Sequence, residues 1–201
     1  IVLFEGVVWD DHMLACILEY APNGSLENLL RVDFSKKRGE KTKLTWRDNI
    51  YDWALGAATG VLYLHGSRYF EEKTNEWKNT IIHRDLKPDN FLIASDFVLK
   101  LTDFGESRAL DLDANMTSVG TPIYIAPELL MNDRYDAKAD TYSFAICLIA
   151  MLRLKESVIE FFFEELRKEM KKDSRVGIGV HILNNRMHGQ KHWRPRVPKA
   201  V

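Results

Sequence analysis

His83-Arg84-Asp85-Leu86-Lys87-Pro88-Asp89-Asn90 is the stretch on which the reading of this chain turns. Asp103-Phe104-Gly105 follows it, and Ala126-Pro127-Glu128 comes later. Between the first two lie short apolar runs at 91–94 and 98–101, set around Ser95-Asp96-Phe97. That pattern predicts a β-hairpin. Asn90 and Asp103 are symmetric about the point between Asp96 and Phe97. Paired strands are therefore expected to bring both to one open end, with Cα atoms about 5 Å apart. A carboxylate five residues before a carboxamide on one loop can face a hydroxyl while the amide faces a metal. Oxygen ligands from Asn90 and Asp103 suit Mg²⁺, which takes one or two protein ligands and fills its shell with phosphates and water.

Working outward, residues 2–8 and 13–19 read as two strands, with Trp9-Asp10-Asp11-His12 at a turn. Tyr20-Ala21-Pro22-Asn23-Gly24 is a breaker cluster. Ser25 is the expected N-cap of a short helix through Arg31, with Glu27 in its first turn. Residues 33–43 are charged and aperiodic, hence a loop. The spacing predicts a helix over 46–65, with Trp46, Ile50, Trp53, Ala54, Ala57, Val61 and Leu64 on one face. Residues 66–80 read as a polar surface insertion and 105–122 as a long exposed loop. An apolar, buried helix is expected over 137–152, and a second helix over 158–172. The segment after Arg175 is basic and carries no acid.

The three motifs, in this order, resemble the catalytic loop, the metal-binding tripeptide and the end of the activation segment of protein kinases. Phosphoryl transfer needs a positioned hydroxyl, a metal to gather phosphate charge, and cations to stabilise the transferring group. The resemblance implies an α+β, protein-kinase-like two-lobe fold. Residues 1–19 would close the small lobe, 20–24 would form the hinge, and 25–201 would form a large lobe lacking its last helices. It implies ATP and Mg²⁺ as cofactors. Asp85 would accept or orient the substrate hydroxyl proton, Lys87 would contact the transferring phosphoryl group, and Asn90 and Asp103 would bind the metal. Leu18 would be the gatekeeper, the Glu19 carbonyl and Ala21 amide would meet the adenine edge, and Leu92 would floor the pocket. For Leu18 and Leu92 plain core packing is the competing reading.

The Asp-Leu-Lys-Pro-Asp-Asn form, and Thr121 before Ala126, resemble serine/threonine kinases; Thr121 would bond near Asp85 and Lys87. Leu18-Glu19-Tyr20 and residues 139–144 resemble the tyrosine-kinase-like group, whose members generally phosphorylate serine and threonine. Arg84 could pair with a phosphate on Thr117 or Ser118. His83 reads as a satisfied core histidine, Phe104 as a packing residue, and Asp140 as a buried aspartate holding the catalytic-loop backbone. Glu128 is expected to be buried, its arginine partner lying in a tail beyond this sequence. No glycine-rich phosphate loop and no strand lysine precede the hinge, so the 201 residues alone are expected to turn over little ATP. A truncated, non-catalytic kinase-fold module that binds a partner is the alternative; a small-molecule phosphotransferase is a weaker one.

Composition sets the outer bounds. A net charge of −1 over 201 residues gives no global pull towards nucleic acid. Two cysteines are too few for a disulfide scaffold, which favours a reducing, cytoplasmic setting. The longest apolar run, 144–152, is far short of the roughly 20 residues a membrane helix needs. The expected partner is a protein substrate.

Overall fold

The longest described helix organises the molecule. The computed structural model describes residues 1–10, 13–34, 44–72, 75–109, 123–130 and 136–153, with positions 164, 167, 168 and 171. The expected helix over 158–172 lies outside the described residues apart from those four positions. Numbering along the chain, the strands are β1 (Phe4–Trp9), β2 (Leu14–Leu18), β3 (Arg68–Glu71), β4 (Glu76–Asn79), β5 (Ile81–Ile82), β6 (Phe91–Ile93), β7 (Leu99–Leu101) and β8 (Arg108–Ala109). The helices are α1 (Leu26–Phe34), α2 (Tyr51–Gly66), α3 (Pro127–Leu130) and α4 (Lys138–Leu152). The strands pair into two-stranded antiparallel sheets, β1 with β2, β3 with β4, β5 with β8 and β6 with β7. Helices beside small antiparallel sheets make the chain α+β, as expected.

A π turn, Trp46–Ile50, leads into α2. Thr45 caps it, its Oγ1 accepting from the Asp48 amide at 3.0 Å. The Thr45 carbonyl accepts from Asn49 N at 3.2 Å and from Ile50 N at 3.1 Å. This wider turn breaks the 3.6-residue spacing. Trp46 is therefore 42% exposed, contrary to the expected face, while Ile50, Trp53, Ala57, Val61 and Leu64 are buried.

The buried face of α2 seats the β6–β7 hairpin. Trp53 Nε1 donates to the Phe97 carbonyl at 2.8 Å. Gly56 and Gly60 face the hairpin: a Cβ there would make ordinary contact, 3.5 Å from the Leu99 carbonyl and 3.6 Å from Leu101 Cβ. The hairpin register pairs Phe91 with Leu101, Leu92 with Lys100 and Ile93 with Leu99. Its centre is Asp96, half a residue from the expected point. Asn90 accordingly lies opposite Thr102, whose amide donates to its carbonyl at 3.0 Å, and Asp103 sits one residue beyond. Burial explains the difference. This register puts Phe91, Ile93, Leu99 and Leu101 together in the core, and a one-residue slip of either strand would turn its apolar pair outward.

Residues 20–24 fold against the same hairpin. Asn23 Nδ2 donates to the Ala94 carbonyl at 2.7 Å, and the Ile93 amide to the Gly24 carbonyl at 2.9 Å. Gly24 has φ +73°, where a side chain would be strained. Ser25 caps α1 through Oγ, accepting from Asn28 N at 3.3 Å. The helix continues past Arg31 to Phe34. One continuous core joins Leu26 and Leu30 of α1, the α2 face, the hairpin, and Ile146, Cys147, Ala150 and Met151 of α4. A smaller cluster of Ile82, Ile125, Ala126, Leu129 and Ala139 lies beside it.

Two expectations need revision. Residues 66–80 are surface-exposed as expected, but they form the β3–β4 hairpin rather than an irregular insertion. Phe70 meets Trp77 edge-on at 5.6 Å, and the Arg68 guanidinium lies 5.4 Å from the Trp77 ring. Cross-strand aromatic pairs stabilise such ribbons locally. Within the expected loop 105–122, Arg108 and Ala109 pair with Ile82 and Ile81; residues 110–122 lie outside the described ones. No helix among the described residues is long and apolar enough to cross a membrane.

Candidate active site

Asp85 is buried on the loop between β5 and a 3₁₀ turn, Pro88–Asn90. Lys87 Nζ lies 2.6 Å from Asp85 Oδ2. Asn90 Nδ2 donates to the same oxygen at 3.0 Å and to the Asp85 carbonyl at 2.8 Å. Oδ2 is thus held by two donors. Oδ1 is buried with no hydrogen-bond partner among the described residues. A buried acceptor left bare is costly unless something fills it. A carboxylate anchored through one oxygen presents the other to an incoming hydroxyl.

The loop is gripped from behind. Asp140 of α4 is fully buried and accepts from His83 N at 2.8 Å and Arg84 N at 2.9 Å. His65, near the end of α2, brings Nε2 to 2.9 Å from Asp140 Oδ2. Arg84 has φ +72°, a left-handed conformation that costs a non-glycine residue on the order of 1–3 kcal/mol. The Asp140 carboxylate holds that strained bend. His83 is fully buried; its Nε2 lies 2.9 Å from the Thr102 carbonyl, and its Nδ1 lies 3.4 Å from Asp85 N. A carbonyl only accepts, so Nε2 carries the proton and Nδ1 is the acceptor. This is the satisfied core histidine expected. Phe104 packs its ring on His83, with centroids 5.3 Å apart.

Asp103 is exposed, with φ +61°. A Cβ on Gly105 would come within 3.4 Å of Asp103 Oδ1, so the glycine leaves room for that carboxylate. The Asn90 amide nitrogen is committed to Asp85, and its Oδ1 takes no hydrogen bond among the described residues. Two hard oxygens at one hairpin end fit a divalent cation that draws its other ligands from phosphates and water. Among the described residues no group of three or more His, Cys, Asp or Glu could hold a metal.

Around the 20–24 segment, Leu18 is 47% exposed. The Glu19 carbonyl and the Ala21 amide enter no hydrogen bond among the described residues. Leu92 is half-buried and forms an isolated bridge with Ser25, across from the end of that segment. The Glu19 carboxylate takes Lys100 Nζ at 2.6 Å through Oε2 and Leu3 N at 3.0 Å through Oε1. The Lys100 ammonium, and then the Leu3 amide, hold the Glu19 carboxyl below its ordinary range. Glu128 is half-buried rather than enclosed. Thr117, Ser118 and Thr121 lie outside the described residues.

Sequence reasoning named Asp140 but missed His65, Lys100 and Asn23. Each acts on a partner far along the chain: 75 residues for His65 with Asp140, 81 for Lys100 with Glu19, and 71 for Asn23 with Ala94. No local pattern marks such contacts.

Known proteins are similar to this chain. A family model for the protein kinase domain matches residues 1–189. The chain is 39% identical over 130 residues to the "probable serine/threonine-protein kinase drkB" of Dictyostelium discoideum, covering 65% of this chain and 16% of that protein. It is 37% identical over 149 residues to the lectin-domain containing receptor kinase VI.4 of Arabidopsis thaliana, covering 72% and 20%. Against the Arabidopsis leucine-rich repeat receptor-like protein kinase TDR it is 36% identical over 151 residues, covering 74% and 13%. The chain belongs to the protein kinase domain family. It spans between about an eighth and a fifth of the length of these relatives.

Proposed function

We propose that this chain is the catalytic part of an ATP-dependent serine/threonine protein kinase of the tyrosine-kinase-like group. The observation that carries the reading is the bare, buried Asp85 Oδ1 beside Lys87 and Asn90. Asp85 orients the hydroxyl of a protein substrate and takes its proton as the oxygen attacks. Lys87, held 2.6 Å from Asp85, offers positive charge where the transferring group gains negative charge. Asn90 and Asp103 supply oxygens to a divalent cation, Mg²⁺ by its preference for few protein ligands. Held there with ATP, such a cation would supply charge to offset the phosphates. The Glu19 carbonyl and Ala21 amide recognise the adenine edge between Leu18 and Leu92. Residues 1–19 belong to the small lobe, 20–24 to the hinge, and the rest to the large lobe. We infer a cytoplasmic setting, free or within a membrane-attached protein.

The test is phosphate transfer by the full-length protein from radiolabelled ATP with Mg²⁺ to a mixed protein substrate, followed by phosphoamino-acid analysis. Label on serine and threonine is expected. Asp85→Asn and Asp103→Ala should each lower the rate by about 10²–10⁴-fold. Undiminished transfer in Asp85→Asn would overturn the assignment, and label on tyrosine alone would overturn the specificity. A properly folded wild type that transfers nothing would favour a non-catalytic binding module.

A further inference from the structure

The kinase reading gives the Lys100–Glu19 pair no role. Lys100 and Glu19 meet at 2.6 Å with side chains only 26% and 19% exposed, across 81 residues of chain. Lys100 lies in β7, opposite Leu92 in the register, so the two side chains share a face of the hairpin. Leu92 is the residue assigned to the adenine floor. Glu19 occupies the segment whose open carbonyl and amide are assigned to the adenine edge. Its side chain is fully engaged: Lys100 takes one carboxylate oxygen and the Leu3 amide the other. Its own amide donates to the Leu3 carbonyl at 3.0 Å. Of the polar groups of Glu19, the carbonyl alone takes no partner among the described residues. Nearby, Val2 N donates to the Leu101 carbonyl at 2.9 Å, a second tie from the chain start to the residue next to Lys100.

We infer that Lys100 is a positioning residue for adenine recognition, which it controls through its ion pair with Glu19. The inference rests on the kinase reading above. Only a short link joins Glu19 to the docked residues Asn23 and Gly24, and backbone groups recognise a ligand only when held in place beforehand. The ion pair supplies that hold. It fixes the Glu19 carbonyl relative to Leu92 and ties both to β7, which ends two residues before Asp103. Lys100 does not touch the phosphates in this scheme. Its loss should weaken contacts to the base and spare those to the triphosphate.

The experiment is fluorescence titration of the full-length protein with mant-ATP, competed by ATP and, separately, by inorganic tripolyphosphate. Lys100→Gln should weaken ATP by about threefold to fivefold, the upper part of the range for one ion pair. Tripolyphosphate affinity should stay within about twofold of wild type. Lys100→Glu should weaken ATP further, and Glu19→Lys with Lys100→Glu should recover most of the loss. A merely structural role for Lys100 would reduce both ligands together and would not be rescued for ATP alone. Equal ATP affinity in wild type and Lys100→Gln overturns the inference while leaving the kinase reading intact. Parallel loss of ATP and tripolyphosphate, or a double variant no better than Lys100→Glu, also overturns it. A folded wild type that binds no mant-ATP removes both readings.

Discussion

Two of the described hairpins, β6–β7 and β3–β4, share the same antiparallel form but have opposite fates. In β6–β7, Phe91, Ile93, Leu99 and Leu101 are all buried against α2 and its neighbours. In β3–β4, Phe70 is 44% and Trp77 59% exposed, on the outer face with Arg68. The inner face carries Tyr69, Glu71 and Lys78, all half-buried. The first hairpin takes its register from the core and delivers Asn90 and Asp103 to the site. The second carries its own ladder and a ring contact on its exposed face. A catalytic constellation needs the first kind of support, because a register set by packing cannot slip without exposing apolar surface.

The contrast can be broken most sharply at Phe91. Phe91→Ala should cost about 3–5 kcal/mol in chemical unfolding, by leaving a cavity under the catalytic loop. A loss below 1 kcal/mol would show that this hairpin is not the support claimed. Asp140→Asn comes next. One of three donors would then face an amide nitrogen in place of an oxygen, at a cost of roughly 2–3 kcal/mol. The same change should raise amide exchange at His83 and Arg84, and unchanged protection there would contradict the gripping role. At Gly60, alanine should be tolerated, but leucine should overpack against Leu101 and cost about 1–3 kcal/mol.

Trp77→Ala on the outer hairpin should cost about 1 kcal/mol or less, with kinase activity retained. A larger loss, or a collapse of activity, would erase the distinction between the hairpins. The smallest effect is the pH dependence of the Glu19–Lys100 pair. The Glu19 pKa is lowered in the folded state from an ordinary 4.5. Its contribution is therefore full above that value and is lost as pH falls through the lowered one. The stability gap between wild type and Lys100→Gln, about 0.2–1 kcal/mol at neutral pH, should close in that acidic window. A gap that widens on acidification would refute the pairing.

Much of this was legible along the chain, and the limit falls at contact order. Asp85, Lys87 and Asn90 share one loop, so their grouping follows from spacing, and the 3₁₀ turn at Pro88 closes it. The face of α2 was readable from Ile50 onward because one period governs it; Trp46 escaped because a π turn has a different period. The inner hairpin was recognised from its apolar runs, but its register was misplaced. Strand pairing looks symmetric in sequence, and burial breaks the tie. The outer hairpin was missed because its polar inner strand faces and exposed aromatics invert the usual pattern.

The sequence by itself determined the family and the α+β class, and it grouped Asp85, Lys87 and Asn90 on one loop, since each rests on residues close in the chain. Only the tertiary structure decided which Asp85 oxygen is bare, that His65 and Asp140 together brace a strained Arg84, and that Lys100 reaches Glu19. The physical reason is common to all three. Each depends on side chains that meet only after the core has closed, and short-range hydrogen-bond geometry cannot be read from positions dozens of residues apart.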